Sequence, residues 1–363
     1  MSIRNWFAVK INHDYFSLSS KMENIKYFAE QGFLFNHLID RIKWHYAPSF
    51  FYVLRFPSHI DIEASNMCQM SCPMCGRHLM KNIKQGHMDF DLYKKIIDEC
   101  SREKVYSIKL SWRGEPLLNP NIAKMINYAK EKGIKDVAFL TNGERLNENL
   151  TNQLIESGLD WISISFDGLN DVYEKIRYPA KFEKAVKEIK YIKKAREQKR
   201  LKKPLIRIQS IWSAIKNNPD EFKDFWKPVA DRINFIADQI RSREEKDFSH
   251  DPNYICQSPW QRICIMWDGR VAQCHGDYLE RNILGDVKAN TLREIWHGEK
   301  FNNLRSLMRN KKRLDTPPCK ICCDGGITQE ENIIVEDKKM KILKYIGQEL
   351  DVASMDARPG ARK

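Results

Sequence analysis

Three cysteines stand close together in Cys68-Gln-Met-Ser-Cys72-Pro-Met-Cys75, and six more fall between 256 and 323. Thiolates at spacings of four and three wrap their sulfurs around one face of a small inorganic cluster and leave one of its positions without a protein ligand. With no histidine inside the motif, this favours iron–sulfur over zinc, which recruits a fourth ligand. A structural zinc loop is the bland alternative. The later group is Cys256, Cys264, Cys274, Cys319, Cys322 and Cys323. A thiolate before a hairpin, one just after it and a Cys-x2-Cys pair further on can converge on one four-ligand site. Cys100 stands apart on a helical stretch and reads as a core residue.

The elements that position these residues alternate. A strand over 60–64 runs into the first cysteines. Helix 91–101, strand 105–110, helix 121–132 and strand 136–140 follow, the last ending at Thr141-Asn142-Gly143. Helix 147–158, strand 161–166 ending at Asp167-Gly168, helix 182–198, strand 206–211, helix 219–230 and strand 232–237 complete the series. Six strands alternating with helices imply an α/β fold with a parallel sheet and its helices outside. Chemistry in such folds collects at the carboxyl ends of the strands, so the polar residues there become site candidates together. Beyond about residue 250 the pattern changes to a Cys-rich segment with a hairpin turning at Asp268-Gly269 and a helix over 291–308. The expected organisation is a helical extension at 1–57, a core at 58–245, a cluster-bearing domain at 246–330, and a C-terminal helix and tail at 331–363.

Cys-x3-Cys-x2-Cys after the first strand of such a chain resembles the radical S-adenosylmethionine (SAM) superfamily. Ser111-Trp112-Arg113-Gly114-Glu115-Pro116 is similar to that family's Gly-Gly-Glu-Pro segment, with Arg113 in place of the first glycine. Ser165-x-Asp167-Gly168 resembles its ribose-contacting segment, and Arg177 matches a recurrent arginine. The resemblance implies a partial (β/α)6 TIM-like barrel in which Cys68, Cys72 and Cys75 hold a [4Fe-4S] cluster that binds SAM. It implies cofactor contacts from Met74, Gly114, Glu115, Asn142, Ser165, Asp167 and Arg177. Cleavage of SAM would give a 5′-deoxyadenosyl radical. Residues 254–326 resemble the SPASM-type extension with a single auxiliary [4Fe-4S] cluster, which implies Cys256, Cys274, Cys319 and Cys322 as ligands. Cys323 stands as an alternative to Cys322, Cys264 as a further alternative, and His275 as a group near the substrate.

A fully ligated auxiliary cluster favours electron transfer and hence net oxidation of a C–H bond too strong for acid–base chemistry. The expected substrate is a small polar molecule, sugar-like or phosphorylated, and the expected electron donor is external, such as flavodoxin or ferredoxin. A maturase of ribosomally made peptides and an iron–sulfur electron-transfer module are the alternatives; the 57-residue extension is short for a peptide-binding module. The chain has 363 residues, 42% hydrophobic, with net charge +13, enough for a substantial core and not disordered. Ten cysteines in short clusters argue against a secreted disulfide framework. No leader and no run of roughly 18 apolar residues is seen, so a cytoplasmic protein without a membrane span is expected. The positive charge is diluted along helical faces such as 181–203, and nucleic acid is not an expected partner; a zinc-based nucleic-acid binder would instead be colourless.

Overall fold

The computed structural model describes residues 15–31, 34–239, 249–346 and 351–359, with side chains left aside at 34–36. Residues 1–14 of the expected extension, and 347–350 and 360–363 of the expected tail, lie outside the described residues. The chain opens with β1 (Tyr15–Ser17), α1 (Lys21–Gln31) and α2 (Leu34–Ser49), then β2 (His59–Ile62), α3 (Phe90–Arg102) and β3 (Ser107–Lys109). It continues through α4 (Ile122–Glu131), β4 (Asp136–Thr141), α5 (Glu148–Glu156), β5 (Trp161–Ser165), α6 (Asn170–Ile176) and α7 (Phe182–Gln198). Next come β6 (Leu205–Ile211), α8 (Trp212–Ile215), α9 (Pro219–Trp226) and β7 (Arg232–Ile236). Side-chain caps start several of these helices: Asp89 accepts from the amides of Asp91 and Leu92 to begin α3, and Asn147 accepts from Leu150 to begin α5.

Strands β2 to β7 pair in parallel in chain order, giving the partial barrel, and both edges are extended. On one edge β1 runs antiparallel to β7, with Phe16 opposite Phe235. On the other, the Cys-rich segment joins the core sheet directly. After α10 (Ser258–Gln261), β8 (Arg262–Ile265) pairs in parallel with β2, and β9 (Arg270–Ala272) and β10 (Ile283–Asp286) follow as antiparallel neighbours. The second cysteine group is thus hydrogen-bonded to the same sheet that carries the first.

The two faces of the sheet differ. Ile162, Ile164, Ile206, Ile208, Ile233 and Phe235 pack outward with Leu154, Ile189, Phe222 and Trp226 of the helices. Each such fully buried side chain contributes about 1.5–3 kcal/mol. The alternate residues face the interior. A parallel strand buried on both faces normally reads as a continuous apolar run. Here Ser163, Ser165, Arg207, Gln209 and Asn234 interrupt it, and the interior is polar above a floor of Tyr27, Ala138, Trp161 and Leu205.

Two expectations are corrected. The single helix expected over 291–308 is two, α11 (Leu292–His297) and α12 (Glu299–Arg309), because Gly298 between them has extended backbone, ψ 163°. A Cβ at Gly298 would stand 2.9 Å from the Glu294 carbonyl oxygen. After the short α13 (Pro317–Lys320), the segment expected to form a C-terminal helix is a hairpin of β11 (Thr328–Val335) and β12 (Lys338–Tyr345). Its turn residues Glu336 and Asp337 both have positive φ, as a two-residue hairpin connection requires. The β-branched run Ile333-Ile334-Val335 suits a strand. The expected tail also packs: Val352 is buried with Ile176 and Ile211, and Arg358 pairs with Asp171 at 3.1 Å.

Candidate active site

The loop after β2 carries the first three cysteines across the carboxyl end of the sheet. Asn66 anchors its start, donating to the Lys84 carbonyl at 2.8 Å and accepting from the Gly86 amide at 2.9 Å. The Cys75 amide donates to the Cys72 carbonyl at 3.1 Å, folding the sulfurs toward one side. Cys72 is buried, and Cys68 and Cys75 are half-buried. Burial pushes the Cys72 thiol up to about 12, against the pull of Arg177, and raises Cys68 as well. Thiols so placed ionise readily only beside a strong positive charge, which bound iron supplies. Three thiols on one short loop are a donor set that fits an iron–sulfur cluster with one iron left open.

Around the loop the strand ends form a connected shell. Glu115, 2% exposed, accepts from the Leu117 amide at 3.0 Å, the Thr141 hydroxyl at 2.6 Å and the Asn142 amide at 2.8 Å. Burial pushes its carboxyl up to about 7, opposed by those three bonds. A carboxylate offers about four acceptor sites, so one remains for a ligand's ammonium. Asn142 Nδ2 lies 3.6 Å from Cys68 Sγ, and Arg177 Nη1 lies 3.6 Å from Cys72 Sγ. Asp167 is fully buried; it accepts from Arg177 Nε at 2.7 Å and from the Ile211 amide at 3.0 Å. The Ser210 hydroxyl also donates to it at 3.4 Å, so its carboxylate is engaged from three sides. Ser165 ends β5 on the interior face, and Met74 packs toward Ile176, Ile211 and Val352. Gly114 is a packing position: a Cβ there would stand 2.3 Å from the Ser65 carbonyl oxygen and 2.6 Å from that of Met67. Only glycine lets this strand end lie on the backbone leading into Cys68.

Arg113, the departure in the motif, is explained by its partners. Its guanidinium binds Glu63 through Nε and Nη2, both at 2.7 Å, and Glu280 through Nη1 at 2.9 Å. Neighbouring Trp112 donates its indole N–H to the His275 carbonyl at 2.6 Å. Both residues reach the Cys-rich segment, and their role was not legible in the motif.

In that segment Cys256, Cys274, Cys319 and Cys322 line one cavity with Tyr254, Gln273, His275, Arg313 and Asp324. Gly276 lies against two of the sulfurs; a Cβ there would be 3.6 Å from Cys274 Sγ and 3.7 Å from Cys322 Sγ. Gln273 Nε2 donates to Cys319 Sγ at 3.2 Å. Burial raises all four thiols, and neighbouring sulfurs add to the rise at Cys256, Cys274 and Cys322, with Cys256 pushed up to about 12. A closed set of four thiolates without a metal would be self-repelling, so the donor chemistry fits a four-ligand cluster. Cys264 and Cys323 do not line this cavity: Cys264 Sγ faces Asp61 at 3.7 Å, and Cys323 Sγ faces Gln239 at 3.5 Å. Cys100 is buried in the main core.

A radical SAM superfamily model matches residues 62–234, and a model of the SPASM iron–sulfur cluster-binding domain matches residues 256–324. The chain belongs to the radical SAM superfamily and carries a SPASM domain; it is an enzyme whose cofactors are iron–sulfur clusters and SAM. Among its relatives is the tungsten-containing aldehyde ferredoxin oxidoreductase cofactor-modifying protein of Pyrococcus furiosus, 23% identical over 69% of this chain and 84% of that protein. Another is the S-adenosyl-L-methionine-dependent 2-deoxy-scyllo-inosamine dehydrogenase of Niallia circulans, 22% identical over 76% of this chain and 96% of that protein. The fold resembles that of BtrN solved with AdoMet and 2-DOIA, with a TM-score of 0.51 and 18% identity over 73% of this chain and 92% of that one. It also resembles anSMEcpe with bound AdoMet, with a TM-score of 0.54 and 15% identity over 69% of this chain and 83% of that one. No helix among the described residues is long and apolar enough to cross a membrane.

Proposed function

We propose that this enzyme oxidises a small polar substrate, with Cys68, Cys72 and Cys75 holding the SAM-binding [4Fe-4S] cluster and Cys256, Cys274, Cys319 and Cys322 holding an auxiliary one. The observation that carries this reading is the cavity lined by four thiols, a complete ligand set that leaves no iron open to substrate and suits electron acceptance. When bound, the cofactors would supply radical hydrogen abstraction from carbon and a sink for the electron then released. The chain's own residues bind and orient. Glu115, steadied by Thr141 and Asn142, receives the SAM ammonium; Arg177, held by Asp167, leans its charge on the Cys72 sulfur. The polar barrel interior holds the substrate below this rim. The dehydrogenase relative supports oxidation of a polyol-like molecule, and an external donor such as flavodoxin or ferredoxin supplies the priming electron. Anaerobically reconstituted enzyme should convert SAM to 5′-deoxyadenosine and take deuterium into it from labelled polyols or aminocyclitols. No 5′-deoxyadenosine under strong reductant, with both clusters assembled, would sink the reading.

A further inference from the structure

Among the described residues, two charges in the barrel interior have no counter-charge. Arg207 on β6 and Arg232 on β7 are direct register partners on the interior face. Arg207 donates through Nε to the Ser163 hydroxyl at 2.9 Å and lies 4.7 Å over the Trp161 ring. Arg232 sits 5.5 Å from the Tyr27 ring centre and 4.9 Å from that of Phe28, with its Nε buried and unpartnered. Among the described residues neither guanidinium meets a carboxylate. Asp136 at the start of β4 and Asp231 just before β7 are committed elsewhere: Asp136 accepts from Trp161 Nε1 at 2.8 Å, and Asp231 from Arg196 at 2.6 Å and the Ile206 amide at 2.7 Å. Like charges directly opposite on adjacent strands repel, and a buried donor left unmade is costly. Burial and the nearby Arg207 charge push the Arg232 guanidinium down to about 10.

We propose that Arg207, Arg232 and the Ser163 hydroxyl form a binding site for a phosphate group, carried by the substrate or free. Two guanidiniums match a dianion rather than a single carboxylate, and their planar forks suit phosphate oxygens. The position suits a substrate anchor, a point that rests on the barrel interior being the substrate cavity. Ser165 lies two residues beyond Ser163 on β5, about 6.6 Å nearer the Glu115 rim. At that level stand Gln209 and Asn234, the latter with its Oδ1 buried and unpartnered. A molecule held by its phosphate would present its hydroxyl-bearing carbons there.

The test is binding of inorganic phosphate to reconstituted full-length holoenzyme, by thermal unfolding at constant ionic strength with chloride as the control anion. Wild type should show a saturable rise in Tm specific to phosphate. Arg232→Met should unfold at a higher temperature than wild type without phosphate and bind phosphate about tenfold or more weakly. Should Arg232→Met not fold, equilibrium dialysis of labelled phosphate against wild type, Arg207→Met and Arg207→Lys decides, with only the lysine variant keeping part of the affinity. No saturable binding by wild type, or wild-type affinity in the methionine variants, would overturn the proposal. Glucose 6-phosphate binding more tightly than inorganic phosphate assigns the group to a substrate, and equal affinity assigns a free anion; both keep the site. Because binding needs no turnover, failure of SAM cleavage and failure of phosphate binding are separate results.

Discussion

Replacing Arg113 by methionine removes a buried cation from between two acids, and the structure says which acid suffers. The side chains of Arg113 and Glu63 are completely buried. Without Arg113, Glu63 keeps among the described residues only the Trp267 amide at 3.3 Å, whereas Glu280 retains Arg270 at 2.5 Å. Breaking a buried pair from one side costs about 3–5 kcal/mol, chiefly because the remaining charge is uncompensated. The Trp267 contact places the expectation near the lower end, about 3 kcal/mol. At roughly 2 °C per kcal/mol for a chain of this size, Arg113→Met should lower Tm by on the order of 5 °C. Adding Glu63→Gln should restore more than half of that loss, while adding Glu280→Gln should restore little, since Glu280 was never orphaned. Thermal unfolding of the single and double variants, read as a double-mutant cycle, measures both. Equal rescue by the two second-site changes, or an Arg113→Met cost below about 1 kcal/mol, would refute the account of Arg113 as the tie between barrel and auxiliary segment.

Gly114→Ala should displace the backbone before Cys68 and cost iron at the first cysteine group alone; iron and sulfide assays of reconstituted protein check this, and full wild-type content would contradict it. Cys72→Ala should abolish SAM cleavage, whereas Cys274→Ala should spare some cleavage and block product formation; equal loss of both activities in Cys274→Ala would make the late cysteines chiefly structural. Burial, with Asp160 nearby, pushes the Asp136 carboxyl from near 3.8 up to about 7. The folded state therefore binds that proton more tightly than the unfolded chain, and wild type loses stability as pH rises from about 4 to 7. Asp136→Asn lacks this loss, so its Tm advantage over wild type should grow across that window and level off above it. A gap that is flat or shrinks across the pH series would reverse the sign of the argument.

The sequence alone carried the class of the protein, because its chemistry is local. Three cysteines at spacings of four and three, and Glu115 and Asn142 at strand ends, are set by short-range pattern and by the rule that parallel strands deliver their carboxyl ends to one side. The alternation of hydrophobic runs likewise gave the barrel strands. It placed a C-terminal helix within 331–363, where pairing of residues 328–335 with 338–345 across the Glu336-Asp337 turn makes a hairpin instead. Other features belong to tertiary structure outright. Arg113 reads as an exception in a motif until Glu280, 167 residues later, stands beside it. The four late sulfurs are selected from six by which face of β8 and which turn each occupies. Arg207 and Arg232 look like ordinary strand residues until β6 and β7 pair and set them side by side above the floor of Tyr27 and Trp161. Spacing fixes what a short loop can hold; charge compensation across the fold depends on partners that only packing brings together.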